Sequence, residues 1–461
     1  MKKTIAAGLA SDPRIAQAKR LVLGTIAEHQ RNITGIRPPE AELQQSYDEM
    51  LAEFEQVRGA PLFYPYIGSG IGRGPLVELA DGSIKYDFIS GIGVHHWGHS
   101  HPSLIEASLD AAMQDTVMQG NLQQNSESLE VAGLLLEGAN RNGARLKHCF
   151  LSTSGAMANE NAFKIIFQKK SPADRILAFE GCFAGRTLAM AQITDKPLYR
   201  AGLPSMLSVD YIPFFDPSRP EESVRISCEH LERHLERYPG KHAAMIFELI
   251  LGEGGFYAGS RDFFAALMDI LKRHSITVLV DEIQTFSRTT ELFAFQHFGL
   301  DDFVDVVTVG KSAQVCATLF TEEYNPRPGL LSQTFISSTS ELFAARVIIR
   351  GLMEGDYFGA DGKIARFHDH FEKHLKGIAE RHTGLVTGPY GIGAMIAFTP
   401  FDGDPEKVKR LIHALFNAGV ISFYAGHDLS RVRFLIPIGA ITFDDIDQVA
   451  LIIEETLLHL L

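Results

Sequence analysis

Two stretches decide the fold of this chain: Val278-Leu-Val-Asp-Glu-Ile-Gln284 and Asp305-Val-Val-Thr-Val-Gly-Lys311. Each carries a short aliphatic run of the kind that is buried on both faces of a parallel sheet. Each run then ends in charge, with Asp281 after the first and Lys311 after the second. Because the ligand crevice of an open α/β sheet lies outside the carboxyl ends of its strands, we expect both side chains at that crevice.

The two charges need a physical reason, since a lysine at the end of an apolar strand is costly to bury unless it is paired or used. A desolvated lysine near other positive charge loses its proton readily and can form a Schiff base. A carboxylate beside it could hold the protonated ring nitrogen of pyridoxal phosphate. A surface lysine and a helix-capping aspartate would explain the same residues, so the pair alone leaves both interpretations open.

Composition limits the possible classes of protein. A chain of 461 residues with 45% hydrophobic content fits one large and one smaller domain. The net charge of −13, with scattered lysines and arginines, argues against nucleic-acid binding, and no apolar run reaches the length of a membrane helix. The four cysteines show neither paired spacing nor a Cys/His metal pattern, which fits a reducing cytoplasm and predicts no metal site. Asp12-Pro-Arg14 interrupts the short apolar start, so we expect an ordinary amino terminus rather than a signal peptide.

From about residue 100, strands and amphipathic helices alternate, which is typical of βαβ units and a mostly parallel sheet. The predicted strands are Cys149–Leu151, Ile176–Phe179, Leu207–Ile212, Ala244–Phe247, Val278–Val280 and Val306–Val309. The last hundred residues differ, because single strands near 394–398 and 432–436 each precede one helix. Asp404 and Gly419 bound the first of these helices and Thr442 caps the second, which predicts a compact α+β domain.

The loops after the strands carry candidate binding groups. Small residues from Ser152 to Asn159 would expose backbone N–H groups at a helix start, an arrangement that binds anions or that serves packing alone. Phe183 and Arg186 suit a flat ring and a carboxylate, although a core phenylalanine and a solvated arginine would look the same. The acids of Glu248-Leu-Ile-Leu-Gly-Glu253 could accept hydrogen bonds from neighbouring loops, or one could pair with an arginine. The glycine-rich segment 68–74 lacks the lysine and capped helix of a phosphate loop.

Five of these motifs stand in an order that resembles the class III (ω-amino) pyridoxal-phosphate aminotransferases of fold type I. They are Gly-His-Ser-His-Pro102, Gly-Arg-Thr187, Gly-Glu-Gly-Gly255, Asp-Glu-Ile-Gln284 and Gly-Lys311. The resemblance runs from about Gly74 to the C-terminus. Within the family, Ser-Gly-Ala-Met-Ala-Asn-Glu-Asn-Ala162, Phe183 and Gln-Val-Cys316 are most similar to the lysine 6-aminotransferases and 4-aminobutyrate aminotransferases.

The resemblance implies an α/β fold with a large domain, built on a mostly parallel sheet, and a smaller α+β domain made from both chain ends. The corresponding segments are 1–75, which joins the small domain, 76–343, which binds the cofactor, and 344–461. It also implies a cytoplasmic homodimer that takes a small amino donor and a 2-oxo acid acceptor.

The resemblance assigns cofactor-binding roles to eight residues: Lys311, Asp281, Phe183, Gln284, Ser154, Gly155, Ala156 and Thr339. Lys311 would form the Schiff base with pyridoxal phosphate and move the proton, and Asp281 would bind the ring nitrogen. Phe183 would stack on the ring and Gln284 would lie near its hydroxyl. Residues 154–156 would hold the phosphate, together with Thr339 of the neighbouring subunit.

The substrate residues implied by the resemblance are Arg186, Arg433 and Glu253. Arg186 would hold the distal carboxylate of a lysine-, ornithine- or 4-aminobutyrate-type donor. Arg433 would bind a carboxylate of 2-oxoglutarate, and Glu253 would pair with Arg433 while the donor is bound. One site would thereby serve two differently charged substrates in a ping-pong transfer.

Four departures from the family pattern touch the substrate loops. Ala184 replaces a histidine, Leu249 replaces a proline, and Gln284-Thr-Phe-Ser-Arg288 lacks a glycine. The stretch 337–343 lacks the glycine pair that normally follows the threonine at position 339. Three alternatives stay open: an aminomutase on the same fold, a catalytically inactive binding or scaffold protein, and a Schiff-base lysine enzyme without a cofactor. The departures around Gln284 and Thr339 bear on the second of these.

Overall fold

The structure is a computed structural model that describes residues 4–461. Residues 1–3, which belong to the predicted segment 1–75 and to the predicted ordinary amino terminus, lie outside the described part. Within residues 4–461, none of the helices combines the length and the apolar content that crossing a bilayer would require.

The strands are β1 Gly68–Arg73, β2 Leu76–Leu79, β3 Ile84–Asp87, β4 Met118–Gln119, β5 Leu146–Ser152, β6 Arg175–Phe179, β7 Ser208–Ile212, β8 His242–Phe247, β9 Ile250–Leu251, β10 Tyr257–Ala258, β11 Thr277–Glu282, β12 Val306–Val309, β13 Cys316–Thr321, β14 Ser337–Ser338, β15 Val386–Ile392, β16 Met395–Pro400, β17 Val420–Ile421, β18 Phe423–Ala425 and β19 Arg431–Leu435. The helices are α1 Ile5–Ala10, α2 Pro13–Gln30, α3 Ala41–Arg58, α4 Ser90–Gly93, α5 Pro102–Ala112, α6 Ser126–Ala139, α7 Gly155–Lys170, α8 Met190–Ile193, α9 Pro197–Arg200, α10 Pro220–Arg237, α11 Arg261–Arg273, α12 Ala294–His297, α13 Thr339–Glu354, α14 Lys363–Arg381, α15 Pro405–Ala418 and α16 Phe443–His459.

The large sheet has the order β5-β13-β12-β11-β8-β6-β7, and only β13 runs antiparallel to its neighbours. The six predicted strands of this sheet are confirmed, with ends that differ by up to three residues. Every residue of β8, β11 and β12 is buried, which is why these strands are apolar throughout. The mostly parallel α/β architecture is therefore confirmed.

Helices cover both faces of the large sheet and supply the rest of its core. In α11, Phe263, Phe264 and Leu267 are completely buried, while the start of the helix is capped by Ser260, whose hydroxyl accepts a hydrogen bond from the Phe263 N–H over 3.2 Å. This packing holds the sheet rigid, so the strand ends can fix the positions of polar side chains.

The chain also forms two smaller sheets of four strands each. Their strand orders are β1-β2-β3-β17 and β15-β16-β19-β18. In the first, Val420 pairs with Tyr86 in parallel, so strands from both chain ends share one sheet. The predicted helix cap at Asp404 is confirmed, since its carboxylate accepts hydrogen bonds from two backbone N–H groups, and Gly419 ends that helix with a φ of +101°. The division of the chain at residues 75 and 343 stays a prediction.

The glycine-rich segment forms the edge strand β1 rather than a phosphate loop. A β-carbon at Gly72 would lie 2.3 Å from the β-carbon of His99, so this glycine permits a close approach of two chain segments. A turn at Asp81-Gly82 joins β2 and β3, and Gly82 has a φ of +79°.

Candidate active site

Five loops meet at the carboxyl edge of the large sheet. Asp281 lies in the central strand β11, and Lys311 follows the adjacent strand β12 by two positions. Phe183, Glu248 and Gly155 follow β6, β8 and β5. One cavity is lined by Gly155, Ala156, Asn159, Phe183, Ala184, Gly185, Glu248, Asp281, Ile283, Gln284 and Lys311. The predicted cofactor residues are therefore brought together, apart from Ser154 and Thr339, which do not line this cavity.

Lys311 begins a short 3₁₀ turn with a φ of +50°. A non-glycine residue rarely adopts this backbone conformation, and such strain concentrates at functional sites. Burial, together with the positive charge of Arg433, lowers the pKa of Lys311 to about 8, while Glu253 acts in the opposite direction. A substantial fraction of this amine is therefore neutral at ordinary pH, as a nucleophile or proton acceptor requires.

Asp281 is buried on β11 and held by two hydrogen bonds. The Asn159 side-chain amide donates to Oδ2 over 2.8 Å, and the Ile283 N–H donates to Oδ1 over 2.9 Å. Thr308 in turn donates to Asn159 Oδ1 over 2.8 Å, which fixes the orientation of the amide. Burial raises the pKa of Asp281 to about 6, although both hydrogen bonds act in the opposite direction. A bound cation would therefore find a carboxylate with a fixed orientation in a poorly solvated site.

The start of α7 carries backbone N–H groups of a kind that suits an anion. Ser154 caps the helix, because its hydroxyl accepts a hydrogen bond from the Met157 N–H over 3.2 Å. Within residues 4–461, the N–H groups of Gly155 and Ala156 donate to no protein acceptor, as expected for the first turn of a helix. A β-carbon at Gly155 would lie 2.8 Å from a methyl group of Ile283, so glycine is required there.

Glu248 is a buried acid that sequence reasoning did not assign to the site. Its carboxyl group accepts hydrogen bonds from the Phe183 N–H over 2.7 Å and from the Gly252 N–H over 3.1 Å. Burial, together with the nearby charge of Asp281, raises the pKa of Glu248 to about 8. The expected hydrogen bonds from neighbouring loops are therefore present, and they position Phe183 at the cavity wall.

Arg433 on β19 is fully buried and forms an ion pair of 2.5 Å with Glu253. Its guanidinium also donates to the Gly252 carbonyl over 3.1 Å and to Gln284 Oε1 over 3.3 Å. Burial alone would raise the pKa of Glu253, but the charge and the hydrogen bond of Arg433, together with the charges of Lys311 and Lys196, outweigh burial and keep that pKa below the ordinary value. Because Gln284 lines the cavity, its hydrogen bond with Arg433 connects the ion pair to the cavity wall.

Arg186 lies outside the residues that line the cavity and is exposed. Its guanidinium is 3.9 Å from the ring centroid of Tyr199, whose ring also lies 5.7 Å from the ammonium of Lys196. Burial lowers the pKa of Lys196, and the charge of Glu253 partly opposes this effect. Within the described residues, neither cation forms an ion pair, so both remain available to an anionic ligand. Sequence reasoning missed Lys196, because no motif singles it out.

Thr339 opens α13, next to the strand pair formed by β4 and β14. It is buried, its N–H donates to the Val117 carbonyl over 2.9 Å, and its hydroxyl donates to the Thr116 carbonyl. Its role at a neighbouring subunit's phosphate site stays a prediction.

The departures from the family pattern have local structural solutions. The Ala184 carbonyl accepts a hydrogen bond from the Asn159 side-chain amide over 2.9 Å, so the Ala184 backbone helps to position Asn159. Leu249 is fully buried, and the loop that follows still brings Glu253 to Arg433. Ser287 has a φ of +62°, which is the conformation that a glycine in this loop would favour.

The cavity offers a chemical partner for each part of pyridoxal phosphate. The free N–H groups at the start of α7 suit the phosphate, and the buried Asp281 suits the protonated ring nitrogen. Phe183 and Ile283 provide apolar walls for the ring, and Lys311 provides the amine for its aldehyde. The residues present therefore fit this cofactor.

Comparisons with known sequences agree with this chemistry. The profile of the family described as "Aminotransferase class-III" matches residues 68–457. An acetylornithine aminotransferase from Corynebacterium efficiens is 31% identical over 388 residues, which cover 81% of this chain and 88% of that protein. An acetylornithine aminotransferase from Methanocaldococcus jannaschii is 27% identical over 363 residues, which cover 75% of this chain and 83% of that protein.

Solved structures share the fold. Lysine aminotransferase from M. tuberculosis superposes with a TM-score of 0.79 at 21% identity, over 89% of this chain and 100% of that chain. Ornithine aminotransferase from Toxoplasma gondii ME49 gives a TM-score of 0.78 at 20% identity, over 90% of this chain and 95% of that chain. Since the family profile spans most of the chain and the cavity carries the groups that pyridoxal phosphate requires, the chain belongs to the class III aminotransferases, which depend on this cofactor.

Proposed function

We propose that this aminotransferase moves the terminal amino group of an ω-amino acid of the lysine, ornithine or 4-aminobutyrate type to 2-oxoglutarate. The observation that supports this proposal most strongly is the ion pair between Arg433 and Glu253 beside Lys311. When bound, pyridoxal phosphate supplies the aldehyde that reacts with amines and the ring that withdraws electrons.

Lys311 and Asp281 are assigned the chemical roles. With a pKa near 8, the Lys311 amine can accept a proton from the substrate carbon and return it. Asp281 holds the ring nitrogen in its protonated form, and Asn159 and the Ile283 N–H keep that carboxylate oriented. Ser154, through its cap of α7, positions the backbone groups for the phosphate.

The charges around the cavity support two modes of substrate binding. In the donor half, Glu253 neutralises Arg433, and Arg186 at the outer edge binds the distal carboxylate of the donor. In the acceptor half, a carboxylate of 2-oxoglutarate replaces Glu253 on Arg433, because a guanidinium binds either carboxylate through paired hydrogen bonds. The buried cation is therefore never left without a counter-charge.

A homodimer is part of the proposal. Exposed apolar side chains occur at Val117 and Leu122 on either side of β4, at Leu129 in α6 and at Phe335 before β14. Exposed apolar residues of this kind are typical of a subunit interface, and Thr339, which follows β14 directly, would reach the partner's phosphate site. A cytoplasmic location is supported by the four cysteines, which are all free.

A donor panel tests the proposal. The purified holoenzyme is mixed with lysine, ornithine, N-acetylornithine, 4-aminobutyrate and alanine in turn, and the visible band of the cofactor is followed. We expect at least one donor with a terminal amino group to convert the band, and 2-oxoglutarate to restore it. Conversion by alanine alone would contradict the proposed substrate class.

A further inference from the structure

A second cluster of chemically reactive side chains lies away from the cavity of Lys311, on the seam between α14 and α16. His370 and His374 stand four positions apart on α14, so their side chains share one face of that helix. Asp447 faces them from α16. The three ligand atoms lie within 4.8 Å of one another.

The geometry points the two imidazoles at a single carboxylate oxygen. His370 Nε2 lies 2.6 Å and His374 Nε2 lies 2.7 Å from Asp447 Oδ1. The ring of Phe443 packs against the ring of His370 at a centroid distance of 4.9 Å and an angle of 69°, which limits its rotation. Two nitrogen ligands and one oxygen ligand therefore converge from two rigid helices.

The charged partners of Asp447 differ from those of Glu454, the other acid between α14 and α16. Farther along the same two helices, Glu454 is neutralised by Arg381 through two hydrogen bonds of 2.8 and 2.7 Å. Among the described residues, Asp447 forms ion pairs only with His370 and His374, which carry charge only when protonated. Within residues 4–461, Asp447 therefore has no arginine or lysine partner that would compete with a bound cation for its carboxylate.

We propose that His370, His374 and Asp447 bind a divalent transition-metal ion, with Zn²⁺ as the best match. Two imidazoles and one carboxylate are a common zinc ligand set, with bonds of about 2.0–2.2 Å and water in the fourth position. The three side chains are 30%, 34% and 43% exposed and border an open cavity of about 760 Å³, so the ion can enter and keep its water.

The bound ion would cross-link α14 and α16. It would replace the present hydrogen bonds by coordinate bonds after a small outward shift of the three side chains. Because none of the three residues lines the cavity of Lys311, the ion is assigned a structural role rather than a part in amino transfer. Asp447 lies 73 positions from His374, so sequence spacing alone gave no signal of this site.

Cobalt binding to the holoenzyme tests the site directly. The chelator-treated protein is titrated with CoCl2 while the visible bands of tetrahedral cobalt are recorded, and ZnCl2 is then added to displace the ion. We expect one ion per chain, and we expect saturating Zn²⁺ to raise the unfolding temperature of the holoenzyme. Absence of cobalt bands at saturation would overturn the proposal.

Variants of the proposed ligands test whether the ion binds at this cluster. H374A and D447N should weaken cobalt binding by at least about tenfold, since even changes to residues that only support a ligand cost that much. The matched control is H382A, which removes a histidine of the neighbouring Glu454 cluster and should leave cobalt binding unchanged. Bands that persist unchanged in H374A and D447N would place the metal elsewhere and would equally overturn the proposal. Retained amino-transfer activity shows that each variant is folded.

Discussion

Arg433 and Glu253 form a 2.5 Å ion pair in which the arginine is fully buried and the glutamate remains partly exposed. The two partners thus have different freedom: Arg433 is fixed by the Gly252 carbonyl and by Gln284, whereas Glu253 can move toward solvent. Under the proposed function, Glu253 would neutralise Arg433 while the donor is bound, and a carboxylate of the acceptor would take its place in the other half of the reaction.

The variant E253Q tests this switch. Glutamine can still accept a hydrogen bond from Arg433 but cannot neutralise it, so α-carboxylates would compete for the guanidinium at all times. We expect kcat/KM for the ω-amino donor to fall about tenfold relative to that for glutamate, which corresponds to about 1.4 kcal/mol. The control is E180Q, an exposed acid on the neighbouring loop. An unchanged ratio between the two donors would show that Glu253 has no such role.

The variant N159A tests how the site holds the ring nitrogen. Loss of the 2.8 Å hydrogen bond leaves Asp281 buried with one fewer donor, so the pKa of Asp281 should rise and its hold on a pyridinium should weaken. We expect retention of pyridoxal phosphate to fall about tenfold, measured as the dissociation constant from absorbance titrations. N161A, on the same helix without a contact to Asp281, is the control. Equal retention in N159A and wild type would refute the assignment.

Much of the fold could be predicted because strands that are buried on both faces must be apolar throughout. Val306–Val309 was predicted with its exact ends, and the caps at Asp404 and Thr442 followed from local chemistry. β13, Cys316–Thr321, was missed, although it is apolar, because it enters the sheet antiparallel between β5 and β12. Such pairing depends on distant segments and has no local signal.

Prediction of the candidate site from the sequence meets the same limit, because contacts between distant segments leave no local signal. Lys311 and Asp281 stand at strand ends, where a charge after an apolar run is conspicuous. Asn159 contacts Asp281 across 122 positions, and Glu248 acts through the backbone of another loop. These supporting contacts depend on tertiary packing, so the sequence could indicate the reacting groups but not the residues that orient them.

The raised pKa values predict how the stability of the apoprotein depends on pH. Glu248 and Glu282 have pKa values of about 8 and about 7, because burial penalises their charged forms. The folded chain therefore holds these protons more tightly than the unfolded chain, and the free energy of unfolding should fall as pH rises from about 6.5 to 8. Each group contributes a slope of about 1 kcal/mol per pH unit. Below that range, buried histidines such as His96, whose pKa burial lowers to about 3, act in the opposite direction.

Urea unfolding of the apoprotein at several pH values measures this slope. E248Q removes one of the two groups and should flatten the dependence, while E236Q, an exposed acid, should not. A free energy of unfolding that stays constant or rises between pH 6.5 and 8 in the wild-type protein would contradict the burial of these acids.

The variant K196Q tests the outer edge of the site. Lys196 and Arg186 flank Tyr199 without a carboxylate partner among the described residues, so both would attract the distal carboxylate of a donor. We expect KM to rise about threefold to tenfold for donors that carry a carboxylate, with kcat nearly unchanged, since a single ion pair near the protein surface contributes about 1 kcal/mol. A simple terminal amine without a carboxylate is the control substrate. An equal rise for both substrates would mean that Lys196 acts through structure rather than charge.

The central claim is that the amine of Lys311 bonds to the cofactor aldehyde while Asp281 holds the opposite side of the ring. Borohydride reduction of the holoenzyme followed by peptide mass analysis tests it most directly. We expect a pyridoxyl phosphate adduct on Lys311 alone and, in parallel, loss of turnover in K311A with the fold retained. An adduct on a different lysine, or full turnover in K311A, would contradict the account.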